Sequence, residues 1–462
     1  MTDKIETINY SSMIENPEEN LKIESDTNDN SETLKFFEDD YELERKNLNC
    51  CERYFSPIRG GSLRSSIITF ASICFGTCGL SLPVAITNVG LIPGTIMFIA
   101  LTVICYWSLY ILLLAGRAKK VLNYSKLVEL LLGSKMAFIL DISNWIFCFG
   151  VLMVYQFVIS SFSMEVLNVW FGVDIDDQKV KFLQMFGMML FIQIPLGMLK
   201  NMSKLQYTGM VGLFVFFYIT CVIFIESFFY FKEGREEGRE IKYFSEINFS
   251  ILDSFSIFLY CYAAHNGMFP VYSELKDPTK RRSFAVMNRA VLIQFITFCV
   301  ILYCGFFSLI KETPSIFILR PDLQILEGFD YFMFTAKVIY IFSLNCSSAF
   351  VFNLIRTSVK SIFSIDRDLP LKYDLALNIT VYVVSNTLCF YISNVVQIIG
   401  VIVGLCGVMM SFVLPILCYV ESNGLPKTHP KNLGCLLLLL VISFMGICSS
   451  TKSLLSIFDY KF

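Results

Sequence analysis

The sequence predicts an all-α polytopic membrane protein, and three observations carry that prediction. Hydrophobic residues make up 55% of the 462, with a mean hydropathy of +0.61. Charged residues make up only 16%, against roughly 25% in soluble domains, too few to solvate a water-exposed surface of this size. Apolar runs of about 20 residues recur along the chain, the length at which a helix satisfies its own backbone hydrogen bonds across a bilayer.

Reading those runs against their polar breaks gives eleven spans: 64–88, 90–115, 137–170, 181–200, 205–231, 251–271, 284–310, 331–359, 374–392, 394–420 and 432–457. An odd count puts the two ends of the chain on opposite sides. With a cytoplasmic N-terminus, twenty Lys and Arg near the span ends fall inside and ten outside, so the positive-inside rule favours N-in, C-out. The sequon Asn248-Phe249-Ser250 then faces outward, while those at Asn123 and Asn201 face the cytosol.

The formal charge of −2 is an average of two unlike parts. Residues 1–56 hold 15 Asp and Glu against 6 Lys and Arg, a net of −9, leaving +7 for residues 57–462. The tail is polar and poor in aromatics, so it reads as a disordered acidic segment ahead of a basic transmembrane domain, and as a place for a regulatory partner. Met1 precedes an acidic stretch rather than a basic n-region, so no cleavable signal peptide is expected and the first span serves as the targeting signal. Neither part implies a nucleic-acid partner. Most of the 16 Cys sit within apolar runs, where they behave as small hydrophobes. Cys50-Cys51, just before the first span, is a palmitoylation candidate.

Two spans are punctuated. Span 1 contains Gly76-Thr77-Cys78-Gly79-Leu80-Ser81-Leu82-Pro83, and span 6 contains Tyr262-Ala263-Ala264-His265-Asn266-Gly267-Met268-Phe269-Pro270. Five spans separate them, so the two halves have opposite orientation. Broken helices at matching places in two halves point to an inverted-repeat transporter whose substrate sits near the midplane, at the unwound backbone.

At these segments the chain resembles the amino acid/auxin permease family of the amino acid-polyamine-organocation superfamily. Phe75 to Gly90 is similar to the family's G-T-G-x-L-x-L-P-x-A-x-x-N-x-G. Pro270-Val271-Tyr272-Ser273-Glu274-Leu275-Lys276-Asp277-Pro278-Thr279-Lys280-Arg281-Arg282 is similar to its P-x-Y-x-E-L-K-x-P-T-K-x-R. The resemblance covers about 57–458. It implies a LeuT-like 5+5 inverted repeat with one extra helix, helices 1 and 6 discontinuous, and secondary transport of amino acids coupled to protons or sodium. It also implies that Thr77, Cys78 and Gly79 line the carboxylate side of a substrate site that includes Gly76, and that Tyr260, Tyr262, Ala263 and Ala264 face the substrate from span 6. The two tyrosines cannot share a face of an intact helix, so one of them packs instead. Helix packing is the alternative role for the glycines.

In sodium-coupled members of that family an Asn lies four residues before the first glycine of the break. Ser72 stands there. Ser343, Asn345 and Ser347 of span 8 are further oxygen donors for a small cation, with hydrogen bonding between helices as their alternative role. For protons the candidate is His265, the sole histidine within a span. Glu165, Glu226 and Lys337 lie near outer span ends and read as snorkelling or gating groups, Arg289 as an anchor or inner gate partner. Gln397, Gly400, Gly404 and Gly407 make a small-residue face on span 10, from which Gln397 reads as a candidate lining of an outer vestibule.

No intramembrane carboxylate pair or histidine cluster suggests an enzyme, and no cofactor is implied beyond a coupling ion. The expected activity is proton-linked or facilitative transport of neutral amino acids. An amino-acid sensor with little flux and a sodium symporter are the alternatives. Plasma membrane and vacuolar or lysosomal membrane fit equally.

Overall fold

The computed structural model describes residues 61–199, 202–236, 241–245, 248–276, 278–309, 313–320, 330–365, 369–392, 394–426 and 428–458, with backbone alone at 202–210 and 234–236. The acidic tail 1–56, Cys50-Cys51, the Asn201 sequon and Ser393 lie outside the described residues. Among those described no strand forms.

The first span is two helices. α1 (Leu63–Cys74) starts at Ser62, whose hydroxyl accepts the Ser65 N–H at 3.3 Å. It stops at Phe75 and Gly76, where the backbone leaves helical geometry. A tight 3₁₀ turn, Thr77–Ser81, leads into α2 (Leu82–Val89), with Pro83 in the first turn, where a missing N–H is harmless. The two halves are bent by 44°. Gly90 then turns the chain at φ 98°, and a Cβ there would lie 2.7 Å from the Ser245 nitrogen. The crowding is backbone: Ser245 N–H donates to the Val89 carbonyl at 3.2 Å, and Leu91 and Ile92 N–H donate to the Lys242 and Tyr243 carbonyls at 3.1 Å.

The remaining helices follow as α3 (Leu91–Ala118), α4 (Tyr124–Leu132), α5 (Ser134–Phe171), α6 (Gln178–Gly197), α7 (Met202–Glu236), α8 (Ser250–Tyr260), α9 (His265–Ser273), α10 (Lys280–Leu309), α11 (Tyr331–Ile362), α12 (Leu371–Tyr391), α13 (Val395–Ser422) and α14 (Pro430–Ile457). Among the described residues eight of them are long and apolar enough to cross a membrane, and the bent pair α1–α2 makes nine. Two of the eleven expected runs fall short for identifiable reasons. The sixth is cut into pieces of 11 and 9 residues. α12 spends its buried face on Asp374, Asn378, Ser385 and Asn386, all 0% exposed.

Lipid is as apolar as leucine, so helices associate through close packing and polar pairs rather than through hydrophobic burial. α13, widened by π turns at Val403–Gly407 and Met409–Val413, is the most enclosed of the eight membrane-length helices. Its glycine face is a packing face: a Cβ on Gly404 would lie 2.5 Å from the Gly446 carbonyl oxygen of α14. Gln397 points to α14 and donates to the Ser456 hydroxyl at 2.9 Å, rather than reaching an outer vestibule. Among the described cysteines all are free thiols and most are buried, as small hydrophobes would be.

The charged residues near span ends are paired rather than snorkelling. Glu226 meets Arg320, and Lys337 meets Glu165 at 2.5 Å, with Glu226 and Lys337 only 6% and 9% exposed. Arg289 is exposed. Asn123 caps α4, its Oδ1 accepting the Lys126 N–H at 3.0 Å.

Candidate functional site

The two helix breaks open onto one cavity of about 110 Å³. From the first span it is lined by Ser72, Ile73, Cys74, Gly76 and Cys78, and from the sixth by Tyr260, Ala263 and Asn266. α5 adds Phe147, Val151 and Tyr155, and α11 adds Ser347, Val351 and Leu354. None of the residues lining it is acidic or basic.

A broken helix inside a protein must find partners for the carbonyls that its last turn leaves free. Here the Phe75 N–H donates to the Ser72 carbonyl at 3.1 Å and the Cys78 thiol to the Cys74 carbonyl at 2.9 Å. The Gln294 side chain of α10, 1% exposed, donates to the carbonyls of Phe70 and Ala71 at 3.3 and 3.2 Å. Replacing Gln294 by Met keeps its length and removes that donor. We expect a cost of about 1–3 kcal/mol, read as a lowered Tm of the purified protein.

The two glycines of the break part company. A Cβ on Gly76 would lie 2.9 Å from the Tyr155 hydroxyl, so Gly76 lets that phenol close over the unwound backbone at the cavity wall. A Cβ on Gly79 would meet the Phe216 ring at 2.6 Å and the Phe298 ring at 3.3 Å, which places Gly79 against α7 and α10, off the cavity. Thr77 is buried, also away from the lining.

At the sixth span the tyrosine pair divides as the helix period requires. Tyr260 lines the cavity. Tyr262 packs among aromatics, its ring centroid 5.6 Å from Phe298 and 6.1 Å from Phe98. Ala263 lines the cavity, whereas Ala264 and His265, each 1% exposed, lie behind it. Among the described residues neither His265 ring nitrogen finds a hydrogen-bond partner, and the ring stands 6.4 Å from Phe412. No hydrogen bond to the ring therefore offsets the desolvation of an imidazolium there. Asn266 continues the wall and donates to Asn144 at 3.0 Å, which in turn donates to Ser358 at 2.7 Å, tying α9, α5 and α11 together.

The span 8 oxygens also separate. Ser347 lines the cavity, as does Ser72, whose hydroxyl donates to the Thr69 carbonyl at 2.8 Å. Ser343 and Ser347 face Gly212 of α7, where a Cβ would lie 3.3 Å from the Ser343 hydroxyl and 4.0 Å from that of Ser347. Asn345 turns away. Its Oδ1 accepts from Gln193 at 3.0 Å, and Gln193 exchanges two hydrogen bonds with Gln156, at 2.7 and 3.0 Å. This buried amide cluster joins α5, α6 and α11 and occupies the carboxamide that a cation would need.

Sequence reasoning misses Tyr155 and its α5 neighbours, Gln294, and the Gln156–Gln193 pair. Only the amides carry a signal, as uncharged polar residues in apolar runs; a tyrosine in such a run carries none.

Residues 59–456 match the family model described as transmembrane amino acid transporter protein. Similar curated proteins include a putative amino acid transporter, AAT1, of Toxoplasma gondii, 26% identical over 63% of this chain and 39% of its own length. Vacuolar amino acid transporter 6 of Saccharomyces cerevisiae is 26% identical over 54% of this chain and 56% of its own. Sodium-coupled neutral amino acid symporter 2 of Danio rerio is 22% identical over 83% and 79%. The chain thus spans about half the length, or less, of the first two relatives. A solved Na⁺-coupled sialic acid symporter aligns with 14% identity and a TM-score of 0.49 over 89% of this chain and 92% of that one.

Proposed function

Since the chain belongs to the transmembrane amino acid transporter family, we propose that it carries neutral amino acids across a membrane by alternating access around the cavity between its two helix breaks. The observation that carries this reading is the cavity's chemistry. Hydroxyls of Ser72, Tyr155, Tyr260 and Ser347 and the amide of Asn266 line it with apolar groups, and among the described residues no charged side chain lines it to pair a charged substrate side chain. Unwound backbone at two half-helix ends supplies N–H groups for a carboxylate and carbonyls for an ammonium group. The breaks in the first and sixth spans support a 5+5 inverted repeat within eleven passages, and the Lys and Arg count supports a cytoplasmic N-terminus.

The movement is facilitative or proton-linked in this reading. Ser72 supplies a hydroxyl where the family resemblance implies an amide in sodium-coupled members, and Asn345 is engaged with Gln193. The test is uptake of radiolabelled alanine, leucine, lysine and glutamate into proteoliposomes, with pH and sodium gradients imposed separately. Alanine and leucine are expected to enter and lysine and glutamate to be excluded, without a sodium requirement. Strict sodium dependence would overturn the coupling, preferential uptake of a charged amino acid the neutral specificity, and binding without flux the transport itself.

A further inference from the structure

A second cavity, of about 270 Å³, lies where α5 ends and α11 begins, with walls unlike those of the first. Its polar lining is Glu165 and Asn168 of α5, Lys337 of α11 with Asp330 at its N-cap, and Arg320, which follows the 3₁₀ turn Phe317–Leu319. Val169, Leu319, Met333 and Phe334 are among the apolar remainder.

Arg320 is the informative residue. It is 4% exposed, its Nη2 is given to Glu226, and its guanidinium carbon lies 4.0 Å from the Tyr230 ring centroid and 4.7 Å from that of Phe317. The rings and Glu226 fix the group, yet among the described residues Nε and Nη1 have no hydrogen-bond partner. Buried guanidinium donors left unmade are costly, and acceptor oxygens of a carboxylate are their best complement. Opposite charge is also present: Glu165 stands 2.5 Å from Lys337, and Asp330 caps α11 through Oδ1, 3.0 Å from the Met333 N–H. Among the described residues Glu165 and Asp330 line the cavity opposite Arg320 and Lys337, with Glu226 behind Arg320, so a bare anion or a bare cation meets like charge on one wall. A ligand carrying both charges on neighbouring atoms, with a short apolar body, meets complementary groups on every side.

We propose that this cavity is a second binding site for zwitterionic α-amino acids, with the carboxylate on Arg320 Nε and Nη1 and the ammonium toward Asp330 and Glu165. It shares the ligand class of the function proposed above and uses none of the central cavity's residues.

The test is equilibrium binding of tritiated L-alanine and L-leucine to the full chain in lipid nanodiscs. Two equivalents are expected for the unaltered protein. Arg320→Lys keeps a charge for Glu226 and loses the two unspent donors; it is expected to weaken one site tenfold or more and leave the other. Gly76→Val is expected to remove the other site, and the two changes together both. In the Gly76→Val chain, displacement by propionate and by alaninamide reads the remaining site without altering Arg320. Alanine should compete and the half-ligands should not. One equivalent that Arg320→Lys leaves intact and Gly76→Val abolishes would overturn the second site and spare the central one. One equivalent with the reverse pattern would support the second site and overturn the central one. Propionate or alaninamide competing as well as alanine would overturn the zwitterion assignment.

Discussion

Gly76→Val is expected to lower amino acid uptake by about 100-fold while leaving the protein folded in the membrane, because a misplacement of roughly 1 Å at a reacting or binding centre has effects of that order. The reason is local. The Cβ of any side chain at this position would lie 2.9 Å from the Tyr155 hydroxyl, and both residues line the cavity. The obstructing atom is the far end of a side chain, so Gly76→Ala, which asks it to move only a few tenths of an ångström, should lose about tenfold. Gly79 makes the control. A Cβ there meets the Phe216 and Phe298 rings away from the cavity, so Gly79→Val overpacks the α7–α10 interface, at a cost of about 1–3 kcal/mol. It should appear as a lower Tm and less folded protein, with uptake per folded molecule far closer to normal than in Gly76→Val. Uptake rates normalised to the monodisperse fraction on size exclusion separate the two. If Gly76→Val transports normally, the break in the first span is not the substrate site.

The contrast shows what the sequence makes legible. Both breaks stand out in one chain because Gly and Pro interrupt apolar runs at matching places in two halves, which chance placement of packing glycines would rarely produce, and the motif running on to Arg282 narrows the family. Which side of a break each residue faces is a different matter. Gly76 and Gly79 are equivalent in a string of letters; they separate only because Tyr155 approaches one and Phe216 the other, from helices far away in sequence. Helical period obliges Tyr260 and Tyr262 to divide, yet only the packing of Phe98 and Phe298 around Tyr262 assigns the roles. Charged residues near span ends read as snorkelling because their partners are remote: Arg320 comes to Glu226 across 94 positions, from a loop. The amides behave similarly. Asn345 reads as a cation ligand until Gln193, 152 positions earlier, is found on it.

Asp374→Ala is expected to cost about 3–5 kcal/mol of stability, the range for removing one partner of a buried ion pair. Asp374 is 0% exposed and its Oδ1 lies 2.6 Å from Arg356 Nε. Arg356 spends its other nitrogens on the Gly197 carbonyl, at 2.8 Å, and on Asn353, and its guanidinium carbon lies 4.9 Å from the Phe352 ring centroid. Through these contacts one cation fastens α11 to α12 and to the end of α6, where the α6 carbonyls would otherwise lack partners. The same helix α11 carries Ser347 and Val351 to the central cavity one to three turns away, so the pair fixes one wall of the site. Removing the carboxylate leaves a buried guanidinium without its counter-charge; removing both side chains leaves neither charge of the pair, only acceptors such as the Gly197 carbonyl and the Asn353 amide oxygen without their donor. Arg356→Met combined with Asp374→Leu should therefore recover more than half of the Tm lost in Asp374→Ala, with Gly197 and Asn353 keeping it short of full recovery. A Tm for the double variant below that of Asp374→Ala would mean that the Arg356 contact with Gly197, rather than the ion pair, carries the larger share of the stability.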